Sequence, residues 1–358
     1  MDPRDPMAEL GRSTLRTMAA LRTRALNGLR HLADVPVTDM ASTPRELVWT
    51  RDNASIYRYL GGTRSRRTPI LLVMSLVTRA YVFDLRPGSS LVEDLLAADY
   101  DVYLLDWGVP TPADAGNTLA TYCDEYIPKA AEAVAELAGT DEIHLIAYCL
   151  GGVLSLLAVA GNRSMPARSI TVLATPIDFR KLHPLPVKLL TDGRIQPEHL
   201  IDDTGNVPAS AMKDLFDLMQ PNVKLTTATN VWRSLSDEES TAAHKALIGW
   251  SNEQIPFPGA AFTEMVDRLF RGRDLLDGKL QVGERMVDLT AIRRPVLSVV
   301  GTKDNLVPPS ATEPISTALW GVDLDHLALP AGHAGLFVGR AARTQCVPSI
   351  VAWLDKRD

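Results

Sequence analysis

The chain has 358 residues, 46% hydrophobic and 22% charged, the balance of a water-soluble globular protein with room for one large domain or a domain carrying an insertion. Its net charge of −6 gives no support to a nucleic-acid partner, which needs a clustered basic surface. Three widely spaced cysteines, Cys123, Cys149 and Cys346, argue against a disulfide framework and fit a reducing, cytoplasmic setting. Neither a C-x-x-C pair nor H-E-x-x-H occurs, so no metal site has sequence support.

Residues 1–45 predict an amphipathic helical extension, with Leu15, Met18, Leu21, Ala25, Leu29 and Leu32 recurring every three or four positions. Such a helix either packs on its own domain or offers a docking surface to a partner or an apolar particle. The first twelve residues lack the apolar core of a signal peptide. From residue 46 the pattern alternates. "ELVWTR" and "ASIYRYL" predict a pair of strands, "PILLVMSLV" (69–77) a buried strand, "SLVEDLLAADY" (90–100) a helix and "DVYLLDW" (101–107) a strand. A helix over 121–139 ending at Gly139, the strand "EIHLIAYC", the helix "GVLSLLAVAG" and the strand "SITVLAT" follow. After a break, "PVLSVVGTKD" and "LDHLALPAGH" hold the last strands and "TQCVPSIVAWLDK" the last helix. Strands separated by helices imply an α/β fold, a mainly parallel, doubly wound sheet covered on both faces. Residues 177–290 interrupt the alternation with prolines, glycines and helical stretches such as "SAMKDLFDLM". They predict a helical cap inserted into a core made of 46–176 and 291–358.

"HLIAYCLGGVLSLL" (144–157) places a cysteine where a strand run meets a helix run. The uncharged stretch 145–161 is close to the lower length limit of a membrane span, and Gly151-Gly152 suits a buried strand–turn–helix better, so no transmembrane segment is expected. A packed core thiol is the bland alternative. The sharper one is a nucleophile elbow, small-x-nucleophile-x-small, read here as Ala147-Tyr148-Cys149-Leu150-Gly151. That turn belongs to the α/β-hydrolase fold, which places an acid and then a histidine further along, each in a loop after a strand. Asp304 follows "PVLSVV" in "GTKDNLVPP", and His333 follows "HLALP" in "AGHAG", flanked by Gly332 and Gly335. The order Cys149, Asp304, His333 fits a triad. The imidazole takes the thiol proton, because the thiolate is what attacks a carbonyl, and the carboxylate holds the imidazole in the useful tautomer. The oxyanion needs two backbone N–H donors, one from Leu150 after the nucleophile and one from the loop after "PILLVMS", assigned to Leu76. Asp304 could instead merely cap a turn, His144 reads as structural, and Asp106 as a loop organiser. Trp107 and Trp250 read as packing. Arg79 and Arg86 either meet the phosphates of a CoA or are solvated. A cysteine at the elbow favours acyl transfer from a thioester, since the enzyme-bound thioester lies close in free energy to the substrate. The alternative is a cysteine-dependent hydrolase, a thioesterase or esterase, that uses water as acceptor.

From about residue 45 to 355 the chain resembles the catalytic subunit of poly(3-hydroxyalkanoate) synthases. "SLVTRAYVFDLRPGSSLVEDLLAADYDVYLLDWGVPTPAD", "AYCLGG", "TPIDF", "GNVPAS", "VDLTAIRRPVLSVVGTKDNLVPP" and "GHAGLFVG" carry the likeness. The resemblance implies polymerisation of (R)-3-hydroxyacyl-CoA into a growing polyester through an acyl-cysteine, with CoA released and no cofactor. It implies a cytoplasmic location at a polymer granule surface. The short chain is similar to the two-subunit, class III-like type, whose members work with a separate helical partner subunit; a homodimer stays open. By motif Cys149 corresponds to the nucleophile, His333 to the base and Asp304 to the acid, which in the family is also proposed to help activate the 3-hydroxyl of the incoming unit. Ala147 stands where the family has Gly, Thr78 where Asn is usual, Glu253 near a usual Asp, and Ala334 where a bulkier aliphatic follows the Gly-His pair.

Overall fold

The computed structural model describes residues 40–66, 68–182, 184–219 and 238–358. The amphipathic run expected over 1–45 lies almost wholly outside the described residues. Eight strands form the central sheet: β1 (Arg45–Arg51), β2 (Ala54–Tyr59), β3 (Ile70–Val73), β4 (Val102–Asp106), β5 (Ile143–Tyr148), β6 (Ala167–Leu173), β7 (Val296–Gly301) and β8 (Leu324–Leu329). Their order is β1-β2-β4-β3-β5-β6-β7-β8. β1 and β2 form an antiparallel hairpin, β2 joins β4 antiparallel, and the other pairings are parallel.

Period-two alternation sorts the strand residues into two cores. Leu71, Val73, Leu145 and Ala147 pack with α2 (Ile127–Ala138) and α3 (Leu150–Gly161) on one face. Ile70, Leu72, Ile146 and Tyr148 pack with α1 (Leu91–Ala97) and α8 (Val347–Leu354) on the other. Every residue of α3 except Gly161 is buried. A helix apolar all round is stable only when enclosed, which is why its sequence imitates a membrane span. Among the described residues, no helix is long and apolar enough to cross a membrane.

Two expected elements differ in detail. The apolar run 69–77 yields a strand only at Ile70–Val73, because the chain leaves the sheet at Met74, whose carbonyl accepts the Trp107 indole N–H at 2.9 Å. The helix expected over 121–139 begins as a π-turn at Thr121–Tyr126, with Ile127 N–H donating to the Tyr122 carbonyl five residues back. Pro128 has no N–H to continue the normal ladder. Ala342–Cys346, just before Pro348 and α8, repeats the device.

Between β6 and β7 the chain inserts α4 (Pro184–Thr191), α5 (Ala209–Met219), α6 (Glu238–Asn252) and α7 (Gly259–Met265). The end of α6 is stitched to the loop after β3. The Trp250 indole donates to the Arg79 carbonyl at 2.8 Å, Gln254 pairs with Thr78 in an isolated bridge, and Ile255 N–H reaches the Val77 carbonyl at 3.4 Å. The insertion therefore stands over the C-terminal ends of the parallel strands, where ligands bind in open α/β sheets.

Candidate active site

β5 ends at Tyr148, and the chain turns into α3 through Cys149, which takes φ +54° and ψ −122°. A non-glycine residue there costs on the order of 1–3 kcal/mol and persists only where the surroundings impose it. They do so through close packing. A Cβ added at Gly151 would lie 2.4 Å from the Met74 carbonyl oxygen, and one at Gly152 would lie 2.0 Å from Thr175 Oγ1. The two glycines let α3 approach the ends of β3 and β6 closely enough to hold the bend. Leu150 is the first residue of α3, so its N–H has no acceptor within the helix and is free for an anion. Cys123 and Cys346 are different: both are buried, and burial pushes their thiols up, Cys346 to about 12. Cys149 is half-buried and faces a cavity.

The Asp304 and His333 loops are pressed together. A Cβ at Gly301 would lie 2.5 Å from the Ala331 carbonyl oxygen, and Lys303 N–H donates to that same carbonyl at 3.0 Å. Asp304 is buried and divides its carboxylate between two tasks. Oδ1 accepts from the N–H groups of Leu306 and Val307, both at 2.8 Å. Oδ2 pairs with His333 Nδ1 at 2.6 Å. The turn cap and the orientation of the imidazole are thus one arrangement. With Nδ1 committed, Nε2 is the nitrogen left for the thiol, and Cys149 is among the groups that raise the ring's pKa. The Tyr148 ring lies 4.8 Å from the imidazole and 4.7 Å from Phe337, which fixes the ring from its other side.

Burial alone would lower the pKa of His333, but the charge and hydrogen bond of Asp304 outweigh it, and the net direction is upward from 6.5. A raised folded value means that the native state holds this proton more tightly than the unfolded chain. The stabilisation is complete below about pH 6.5 and is lost as pH rises through the folded value. Thermal melts should therefore show stability falling from neutral into alkaline pH, and His333→Gln should flatten that slope.

Leu76 is placed less simply. Its side chain points into a small recess with Trp107 and Tyr122, whereas its neighbours Ser75 and Val77 line the cavity over Cys149. The cavity encloses about 90 Å³. Phe179, Leu190, Met212, Phe262, Met265 and Leu306 are among its walls, and among the described residues Ser75 and Cys149 are the only polar side chains on it. The residues read as bland do structural work. His144 is buried, with Nδ1 2.7 Å from Ser169 Oγ, and burial lowers it to about 4. Asp106 accepts from Gly108 N–H at 3.0 Å and organises its loop.

Residues 69–339 match the alpha/beta hydrolase fold family. The chain belongs to the alpha/beta hydrolase fold family. Two solved members show the same architecture: an esterase from Rhodococcus sp. (TM-score 0.52, 16% identity, 88% of this chain and 99% of that one) and the enol-lactonase from Burkholderia xenovorans (TM-score 0.50, 13%, 87% and 100%). Nearer in sequence, this alpha/beta hydrolase is homologous to poly(3-hydroxyalkanoate) polymerase subunits PhaC. That of Allochromatium vinosum is 29% identical over 92% of this chain and 93% of its own. Those of Thiocystis violacea (28%, 92% and 93%) and Synechocystis sp. (27%, 93% and 90%) are close behind.

In this alpha/beta hydrolase, the Tyr148 platform and the cavity walls are the parts that sequence reasoning missed. One signal was present: Met212, Leu215, Phe216 and Met219 recur with helical period on α5, and all four line the cavity. The pattern announces an apolar stripe without saying what it faces.

Proposed function

We propose that this chain is a poly(3-hydroxyalkanoate) synthase-type acyltransferase working through a Cys149–His333–Asp304 triad. The carrying observation is a thiol on a strained elbow that opens onto an apolar cavity, in a chain whose relatives over nine-tenths of its length are PHA polymerase subunits. Apolar walls exclude water and favour an acyl unit's hydroxyl as acceptor.

The Cys149 proton passes to His333 Nε2, and the thiolate attacks the thioester carbonyl of (R)-3-hydroxyacyl-CoA. The N–H groups of Leu150 and Leu76 receive the oxyanion. The carbon–sulfur bond to CoA breaks, and the CoA sulfur leaves with the proton held by His333. The 3-hydroxyl of a second acyl unit then gives its proton to His333 and attacks acyl-Cys149, forming an ester and freeing the thiol. Asp304 has no exposed side-chain surface and both oxygens engaged, which supports a role through His333 rather than direct contact with that hydroxyl.

No cofactor is needed, because the thioester supplies the driving force. A two-subunit, class III-like type with a separate helical partner, a homodimer, and work in the cytoplasm at a granule surface belong to the same proposal. Near-equal length to the Allochromatium subunit supports the type. The test is incubation with (R)-3-hydroxyacyl-CoA, with and without a helical subunit, measuring CoA release, insoluble polyester and free acid. Polyester is the expected product. Free acid equal to the CoA released would make the chain a thioesterase, and absence of CoA release would reject both.

A further inference from the structure

Tyr148 is the last residue of β5 and is 1% exposed. Its ring centroid lies 4.8 Å from that of His333, with the two planes inclined at 44°. Phe337 and Phe83 meet the same ring edge to face, at 4.7 and 6.3 Å, and each other at 5.4 Å. Three aromatic side chains thus hold one another, and the imidazole is the fourth ring of the group. The phenol oxygen is buried and has no hydrogen-bond partner among the described residues. An unpaired buried hydroxyl is destabilising, so packing alone would be served better by phenylalanine. What Tyr148 offers its neighbours is the ring.

Resting on the triad of the acyltransfer reading, we propose that Tyr148 is a positioning residue whose ring stabilises the charged imidazolium of His333. A cation within about 6 Å of an aromatic centroid is attracted to the ring's electrons, and more strongly where water is excluded. The other groups that act on His333 are Asp304, paired with Nδ1, and Cys149 on the elbow. Burial holds the Tyr148 phenol well above its ordinary range, so it stays neutral and adds no charge of its own. When the proton moves from Cys149 Sγ to His333 Nε2, thiolate and imidazolium form together, so support for the cation speeds acylation. The cavity is lined by residues other than Tyr148, and the effect should therefore fall on kcat rather than KM.

The test is an NMR titration of His333 in the full chain labelled at histidine. Cys149→Ala is the background, so that the thiol does not titrate with the ring, and His333→Gln identifies the signal. Tyr148→Leu keeps the site apolar and removes the aromatic face. It should weaken proton binding about three- to thirtyfold, which lowers the midpoint by about 0.5–1.5 pH units. Tyr148→Phe should leave the midpoint within about 0.3 pH units of the parent and should not lower the melting temperature. With Cys149 restored, Tyr148→Leu should lower kcat for CoA release by a similar factor, with KM within about twofold, and Tyr148→Phe should restore the rate. If leucine prevents folding, phenylalanine fluorinated around its ring at position 148 keeps the shape, weakens the face and should lower the midpoint likewise. A folded leucine or fluorinated chain that titrates like the parent would overturn the inference. So would Tyr148→Phe titrating like Tyr148→Leu. The titration uses no acyl-CoA, so it decides the role of Tyr148 even where the wild type releases no CoA, the result that would sink the acyltransfer reading.

Discussion

Cys149→Ala lowers CoA release from (R)-3-hydroxyacyl-CoA by about 10⁴-fold or more, the expected size when a nucleophile is removed from a covalent mechanism. The fold should survive. Alanine meets the same backbone strain as cysteine at φ +54°, and the glycines that hold the bend, Gly151 and Gly152, are untouched. The lost sulfur faces a cavity rather than a filled core, so no new void forms inside packed structure. A melting temperature within a few degrees of wild type, together with the collapse in CoA release, separates loss of chemistry from loss of fold. Cys149→Ser sharpens the point. An oxygen ester is more stable than a thioester, so any acyl group loaded there should leave slowly. That variant should accumulate acyl-enzyme while steady turnover falls by orders of magnitude. Ordinary turnover by Cys149→Ala would move the chemistry to another residue.

The parts of the site legible in the sequence are those encoded over a few neighbouring residues. An apolar strand, a small-x-Cys-x-small turn and a second glycine announce the elbow, because each glycine answers a specific close approach, to Met74 or to Thr175. Asp304 and His333 stand out because each lies in a short loop directly after a strand, and parallel sheets bring such loops to one edge. The cavity was not legible. Its walls come from segments running from Ser75 to Val307, and no local pattern states which apolar stripe of the insertion meets which loop. The shortened β3 was hidden for a related reason. Met74, Ser75 and Leu76 are as buried as strand residues, yet they are buried under the site, with a Trp107 hydrogen bond in place of a ladder partner. The π-turns before Pro128 and Pro348 did have a local cause, a missing N–H, and could have been read from proline inside a helical pattern.

Asp304→Asn should cost about 10³- to 10⁴-fold in CoA release while leaving the loop intact, and the reason is one proton. Asparagine can keep its oxygen toward the N–H groups of Leu306 and Val307, the two bonds that Oδ1 makes now. Its amide nitrogen then faces His333 Nδ1, where Oδ2 stands at 2.6 Å. A donor there requires Nδ1 to accept, so the ring proton moves to Nε2, the nitrogen that must take the proton of Cys149. The charge that raises His333 also disappears, while burial continues to lower it, so the imidazolium loses its support. The deficit should narrow as pH rises, because hydroxide can remove the thiol proton without the ring. The step affected distinguishes two roles for the carboxylate. If Asp304 works through His333, single-turnover acylation of Cys149 and later chain growth both fall. If it touched the 3-hydroxyl directly, acylation would stay near wild type and only chain growth would fail. The buried, fully engaged carboxylate leads us to expect the first result, and a normal acylation burst in Asp304→Asn would refute it.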